Sequence, residues 1–189
     1  MGSIPIWLTI PSAQKCREVK METREVLKKV VLFKYLSPPE LESLESKLEK
    51  RKVAKDTVIF QEGTVGNEMY LITSGEVEIS IKRNDSKLVL AELGESSFFG
   101  EMALITDRPR TASATAVVDS EIYALSKEEF QRLLVKEPQL SARMLLAISE
   151  ILCDRIQSTN ENLETYFLIN RAIVDNEQFR RLYIHSHVK

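Results

Sequence analysis

Between Glu22 and Phe33 the apolar residues Val26, Leu27, Val30 and Val31 recur at steps of three and four, the spacing that lays one stripe along a helix. Ser37 then stands as an N-cap, Pro38 and Pro39 suit the first turn, and Glu40 completes a capping box. Leu41, Leu44 and Leu48 predict the buried stripe of this second helix, and the charge run Glu49-Lys50-Arg51-Lys52 predicts its solvated end. From Val53 to Ser126 the texture changes to short β-branched runs, and five of the six glycines fall between Gly63 and Gly100. Tight turns between short strands follow, with strands predicted over 56–60, 68–73, 76–83, 87–93, 112–118 and 121–125. A small antiparallel β-barrel or jelly roll accommodates them. Ser126 caps a helix through Leu134, and Pro138 opens a much longer one. In the long helix Leu145, Ser149, Leu152, Ile156, Thr159, Leu163, Tyr166, Asn170 and Ile173 alternate at intervals of four and three, the period of a coiled-coil seam. The fold class is therefore mainly β, flanked by N-terminal helices and closed by a long C-terminal helix. The boundaries are an extension at 1–21, a helical segment at 22–52, the barrel at 53–126, C-terminal helices at 127–175 and a tail at 176–189.

Composition narrows the classes. The chain has 189 residues, 43% of them apolar, and a formal net charge of −2, which suits one domain with extensions and argues against a dominant nucleic-acid surface. Cys16 and Cys153 lie far apart, so neither a disulfide framework nor a cysteine metal cluster is indicated, and a reducing cytoplasm is the expected setting. His185 and His187 fall in the last residues, where they read as tail rather than ligands. The apolar start Ile4–Ile10 is too short to span a bilayer and lacks a positive leader; no membrane, metal or cofactor role is expected.

The chemistry concentrates in one run, Phe98-Phe99-Gly100-Glu101-Met102-Ala103-Leu104-Ile105-Thr106-Asp107-Arg108-Pro109-Arg110-Thr111-Ala112-Ser113-Ala114-Thr115-Ala116. Gly100 lets backbone approach a ligand, and the N–H groups of Glu101, Met102 and Ala103 at a helix start favour an anion. Arg110 supplies a planar guanidinium able to give a singly charged phosphate two parallel hydrogen bonds. Beside that anion, Glu101 is better suited to accept from sugar hydroxyls than to touch phosphate. Ala112, Ala114, Ala116 and Val118 form one small-residue face of the following strand, which leaves room for a ligand inside the barrel.

This run, 98–116, resembles the phosphate-binding cassette of cyclic nucleotide-binding domains, as in the catabolite activator protein, kinase regulatory subunits and gated channels. The stretch from Ile59 to Ile79 also resembles the first half of that domain, with Asn67 where the family often has aspartate. The resemblance implies cyclic nucleotide as ligand and places the site at Gly100, Glu101, Met102, Ala103, Arg110 and Thr111. Leu104 matches a leucine that the family uses as a relay. Arg155-Ile156-Gln157-Ser158-Thr159-Asn160 is similar to the dimer helix of the catabolite activator group, which makes Thr159 a base contact in its own subunit and Asn160 one reaching from the partner. That pair favours cyclic AMP over cyclic GMP, while Thr111 resembles the hydroxyl that meets guanine in cyclic GMP-selective relatives.

The implied protein is a receptor in which ligand repositions the helix after Pro138, as a homodimer through that helix, with an effector protein as a further partner. Neither a nucleophile with a paired base nor a helix-turn-helix follows from the residues present, so an enzyme is not expected. The alternatives are the sensing portion or a degenerate relative of a transcription regulator, and an interaction module with an unused pocket.

Overall fold

Leu27 and Val30 are buried while Val31 is half exposed, because the helical residues 24–29, designated α1, end before the stripe does. A 3₁₀ turn at Val31–Phe33 then rotates Leu32 and Phe33 inward instead. The computed structural model describes residues 24–84 and 86–175, with side chains to Arg171. The extension, Cys16, both histidines, the tail and the Ile173 side chain lie outside the described residues. Helix α2, Pro38–Glu45, starts on the expected capping box, with the Ser37 N–H donating to the Glu40 carboxylate at 2.7 Å. Leu41 and Leu44 are buried, but Leu48 lies beyond the last turn and is only partly covered.

The charge run after α2 is a strand, not a helix end. Strand β1, Glu49–Val53, pairs antiparallel with β8, Ser120–Ser126. It lies at the edge of its sheet, where charged side chains are the usual protection against stray pairing. Lys50 and Lys52 reach Glu121 on β8 at 2.7 and 3.4 Å. A run of four charges carries no apolar period, so pattern alone could not tell this strand from a solvated turn of helix.

The remaining strands are β2 (Val58–Phe60), β3 (Glu68–Ser74), β4 (Val77–Arg83), β5 (Ser86–Leu93), β6 (Phe98–Phe99) and β7 (Ser113–Ala116). They form two antiparallel four-stranded sheets, ordered β1-β8-β3-β6 and β2-β7-β4-β5. The core gathers Tyr70, Ile72, Phe99, Ile122 and Ala124 from the first sheet and Val77 and Ala114 from the second. Each large apolar side chain buried here contributes about 1.5–3 kcal/mol. The alanine face is thus part of a filled core at Ala114 and Ala116, while Val118, expected on the same face, lies past the strand end and is exposed.

A short helix α3, Met102–Ile105, lies between β6 and β7 and packs on β3 and on α4, Lys127–Lys136. Ser126 caps α4, its hydroxyl accepting from the Glu129 N–H at 3.1 Å. Helix α5 runs Pro138–Asp175, and its first turns bury Leu140, Met144 and Ala147. Arg143 on those turns donates to the Glu40 carboxylate at 2.7 Å and to the Tyr35 carbonyl at 3.2 Å. The chain divides into two units, one ending at Ala147 and the other beginning at Ile148. Within the second, Ile156, Leu163 and Tyr166 of the seam are exposed, and so are Phe167, Leu168 and Ile169, which the seam did not include.

Candidate functional site

Arg110 is folded into the protein rather than extended to solvent, with only 8% of its surface exposed. Its backbone is fastened first: the Arg110 N–H donates to the Thr64 carbonyl and the Gly63 N–H donates to the Arg110 carbonyl, both at 2.8 Å. Those bonds aim the side chain at β3 and the cassette turn. Nη2 donates to the Glu68 carbonyl at 2.7 Å and Nη1 to the Gly100 carbonyl at 3.1 Å. The guanidinium carbon lies 4.0 Å from the centre of the Phe60 ring, a cation–π distance. Phe60, Tyr70 and Phe99 make the aromatic floor, with ring centroids 5.2–5.9 Å apart. Gly66 closes the cradle: a Cβ there would lie 2.0 Å from Nε, so any side chain at 66 displaces the cation.

The cradle leaves one donor unsatisfied. Arg110 Nε is buried with no hydrogen-bond partner, and an unpaired buried N–H costs on the order of 1–3 kcal/mol. Burial pulls the Arg110 pKa below the usual guanidinium value, against the favourable charges of Glu68 and Glu101 and the influence of Tyr70. A guanidinium stays protonated through such a shift, so the site holds a fixed positive charge that an anion would satisfy.

Gly100 has φ +74°, a backbone region open chiefly to glycine, and Glu101 behind it is buried. The Ala103 N–H donates to the Gly100 carbonyl at 3.1 Å. That corrects one expectation, since this amide is already occupied and not open at a helix start. With only four residues in α3 the aligned dipole is small, so the strong positive charge beside this turn is that of Arg110. Met102 and Thr111 are exposed beside the turn and Ala103 is buried beneath it. The structure therefore brings Gly100, Glu101, Met102, Ala103, Arg110 and Thr111 into one neighbourhood through the cassette. Thr159 and Asn160 belong to the second unit, where both are exposed and the Thr159 hydroxyl donates to the Arg155 carbonyl at 2.8 Å.

Residues that the sequence did not single out hold this arrangement. Lys127 at the start of α4 donates from Nζ to the Thr106 carbonyl at 3.2 Å and to Asp107 at 2.7 Å, and its N–H to the Asn67 carbonyl at 2.7 Å. Gly66, Phe60 and Glu68 make the cradle itself. All three stand in the stretch read as the first half of the family domain, yet nothing in their types betrays that they face an arginine more than forty positions later. A hollow of about 560 Å³ lies elsewhere, over Ser80, Ser113 and Thr115 with Glu62, Lys82 and Lys87 around it. Among the described residues no helix is long and apolar enough to cross a membrane, and no cluster of His, Cys, Asp and Glu is placed to hold a metal.

The family model for the cyclic nucleotide-binding domain matches residues 50–137, a span that contains the cradle and the whole cassette. Residues 50–137 are a cyclic nucleotide-binding domain. Relatives agree: the cAMP-dependent protein kinase regulatory subunit of Colletotrichum orbiculare is 36% identical over 110 residues, 58% of this chain and 28% of that protein. The CRP-like cAMP-activated global transcriptional regulator of Mycobacterium tuberculosis is 27% identical over 140 residues, 74% of this chain and 61% of that protein. The chain thus spans less than two thirds of either relative. A solved cyclic nucleotide-binding domain from Methylobacillus flagellatus superposes with a TM-score of 0.69 at 26% identity, covering 79% of this chain and 84% of that one. The two sheets and the long following helix of this chain match that fold.

Proposed function

We propose that the chain is a cyclic nucleotide receptor with cyclic AMP as its preferred ligand. The observation that carries this reading is the Arg110 guanidinium, buried in carbonyls and aromatic rings with Nε unpartnered, beside the cassette glycine. In the bound state Arg110 takes the cyclic phosphate, Glu101 accepts from the ribose hydroxyl, and the backbone at Gly100 and Met102 and the Thr111 hydroxyl complete the neighbourhood, with Ala103 packed beneath. The preference for cyclic AMP over cyclic GMP rests on the likeness of Thr159 and Asn160 to base-reading positions and on the names of the two relatives above.

The output is regulatory. Leu104 is buried on α3, which packs on β3 and α4, so a ligand that draws α3 inward forces Leu104 to repack and shifts α4 and the helix beginning at Pro138. Only a difference in affinity for two arrangements drives such a switch. The exposed Ile156, Leu163 and Tyr166 support pairing of two copies through the long helix, with an effector protein receiving the signal.

Titration calorimetry with cyclic AMP and cyclic GMP, on the wild type and on Arg110→Ala, tests the reading. We expect binding of both with cyclic AMP tighter, and a loss of about 2–5 kcal/mol on truncation, as when one partner of a buried charged pair is removed. Absence of heat from either nucleotide would refute it.

A further inference from the structure

The cation that must meet the phosphate has a competing anion in its own cradle. Arg110 holds the Glu68 carbonyl at 2.7 Å, and the charge of the Glu68 carboxylate acts on that guanidinium. Yet the carboxylate makes no hydrogen bond to it. Both of its oxygens are taken from the other side: Arg51 Nη1 donates to Oε2 at 2.8 Å and Nη2 to Oε1 at 2.7 Å, and the Tyr70 hydroxyl donates to Oε2 at 2.7 Å. Arg51 stands on β1, where Glu49 receives its Nε at 3.1 Å and Nη2 at 2.7 Å. The fork on Glu68 is the bidentate geometry that only arginine supplies.

We propose that Arg51 is a positioning residue for nucleotide binding: by occupying both oxygens of Glu68 it keeps that carboxylate off Arg110 and leaves the guanidinium to the ligand's phosphate. The inference rests on the reading of the site as a cyclic nucleotide site. Its physical basis is competition. A carboxylate tethered beside the cation acts at an effective concentration in the millimolar range or above, so once released it prevails over ligand at micromolar levels. Arg51 is one-third exposed, and a partly exposed ion pair adds little to stability. Its removal therefore leaves a folded protein in which the effect on binding can be read.

The test is calorimetric titration with cyclic AMP of the wild type, Arg51→Gln, Glu68→Gln and the double variant, each with its melting temperature. Arg51→Gln is expected to bind about tenfold more weakly, within the range of couplings between neighbouring residues. Glu68→Gln, which keeps the backbone carbonyl to Arg110 and removes only the charge, is the reference for the double variant, in which affinity is expected to recover several-fold over Arg51→Gln because the rival charge is gone. Arg51→Lys, which keeps the charge and loses the fork, falls between. Wild-type affinity in Arg51→Gln, or a double variant as weak as Arg51→Gln, would overturn the inference while the nucleotide reading stands. A wild type that binds no cyclic nucleotide would overturn both.

Discussion

At the residue scale the account turns on how one guanidinium is housed. Gly66 has no side chain because the cation occupies that space. Gly66→Ala is expected to push Arg110 out of its cradle and weaken cyclic AMP binding, while costing only about 1–3 kcal/mol of stability, the usual toll of overpacking. Parallel calorimetry and denaturant titration separate the two effects. Tyr70 offers a pH-dependent check, because burial first, then its hydrogen bond to Glu68, pushes the phenol up to about 12. The unfolded chain ionises this phenol near pH ~10, so Tyr70 contributes stability below that pH and loses it as pH rises toward its folded value. The stability gap between wild type and Tyr70→Phe, followed by denaturant melts at rising pH, is expected to narrow over that window. Arg110, Gly100 and Glu101 were legible in the sequence because their spacing is local. Gly66, Phe60, Glu68 and Arg51 were not, because strand pairing over tens of residues brings them to the guanidinium.

At the scale of elements, local signals placed most of the helix starts. The Ser37–Glu40 capping box and the Ser126 cap are where the sequence put them, and six of the eight strands fall on the predicted runs. Strand β1 was hidden by its charges, which serve an edge, and β6 by its two-residue length. Capping is itself testable. Ser126→Ala removes the acceptor of the Glu129 N–H at the head of α4 and is expected to cost about 1 kcal/mol, measured by thermal or urea unfolding. Because α4 begins at Lys127, which also grips the cassette loop through Thr106 and Asp107, Lys127→Ala is expected to loosen that loop. Faster amide exchange over 106–110, with the core strands unchanged, is the readout.

At the scale of the molecule the exposed apolar side chains of the long helix matter most. Ile156, Leu163 and Tyr166 lie on the four-three seam, and a helix with such a stripe in water is a candidate for pairing. Sedimentation of the wild type is expected to show a dimer at micromolar concentration, and Ile156→Asp with Leu163→Asp a monomer that still binds nucleotide at its barrel. That Ile156, Leu163 and Tyr166 share one stripe is readable from periodicity alone, whereas the exposed Phe167, Leu168 and Ile169 break the period and escape it. All of these expectations depend on where the ligand lies. A crystal structure of the complex with cyclic AMP tests that most directly: the account predicts a phosphate oxygen within hydrogen-bond distance of Arg110 and the ribose at Glu101. Nucleotide density anywhere else, with Arg110 still bonded only to the Glu68 and Gly100 carbonyls, would contradict it.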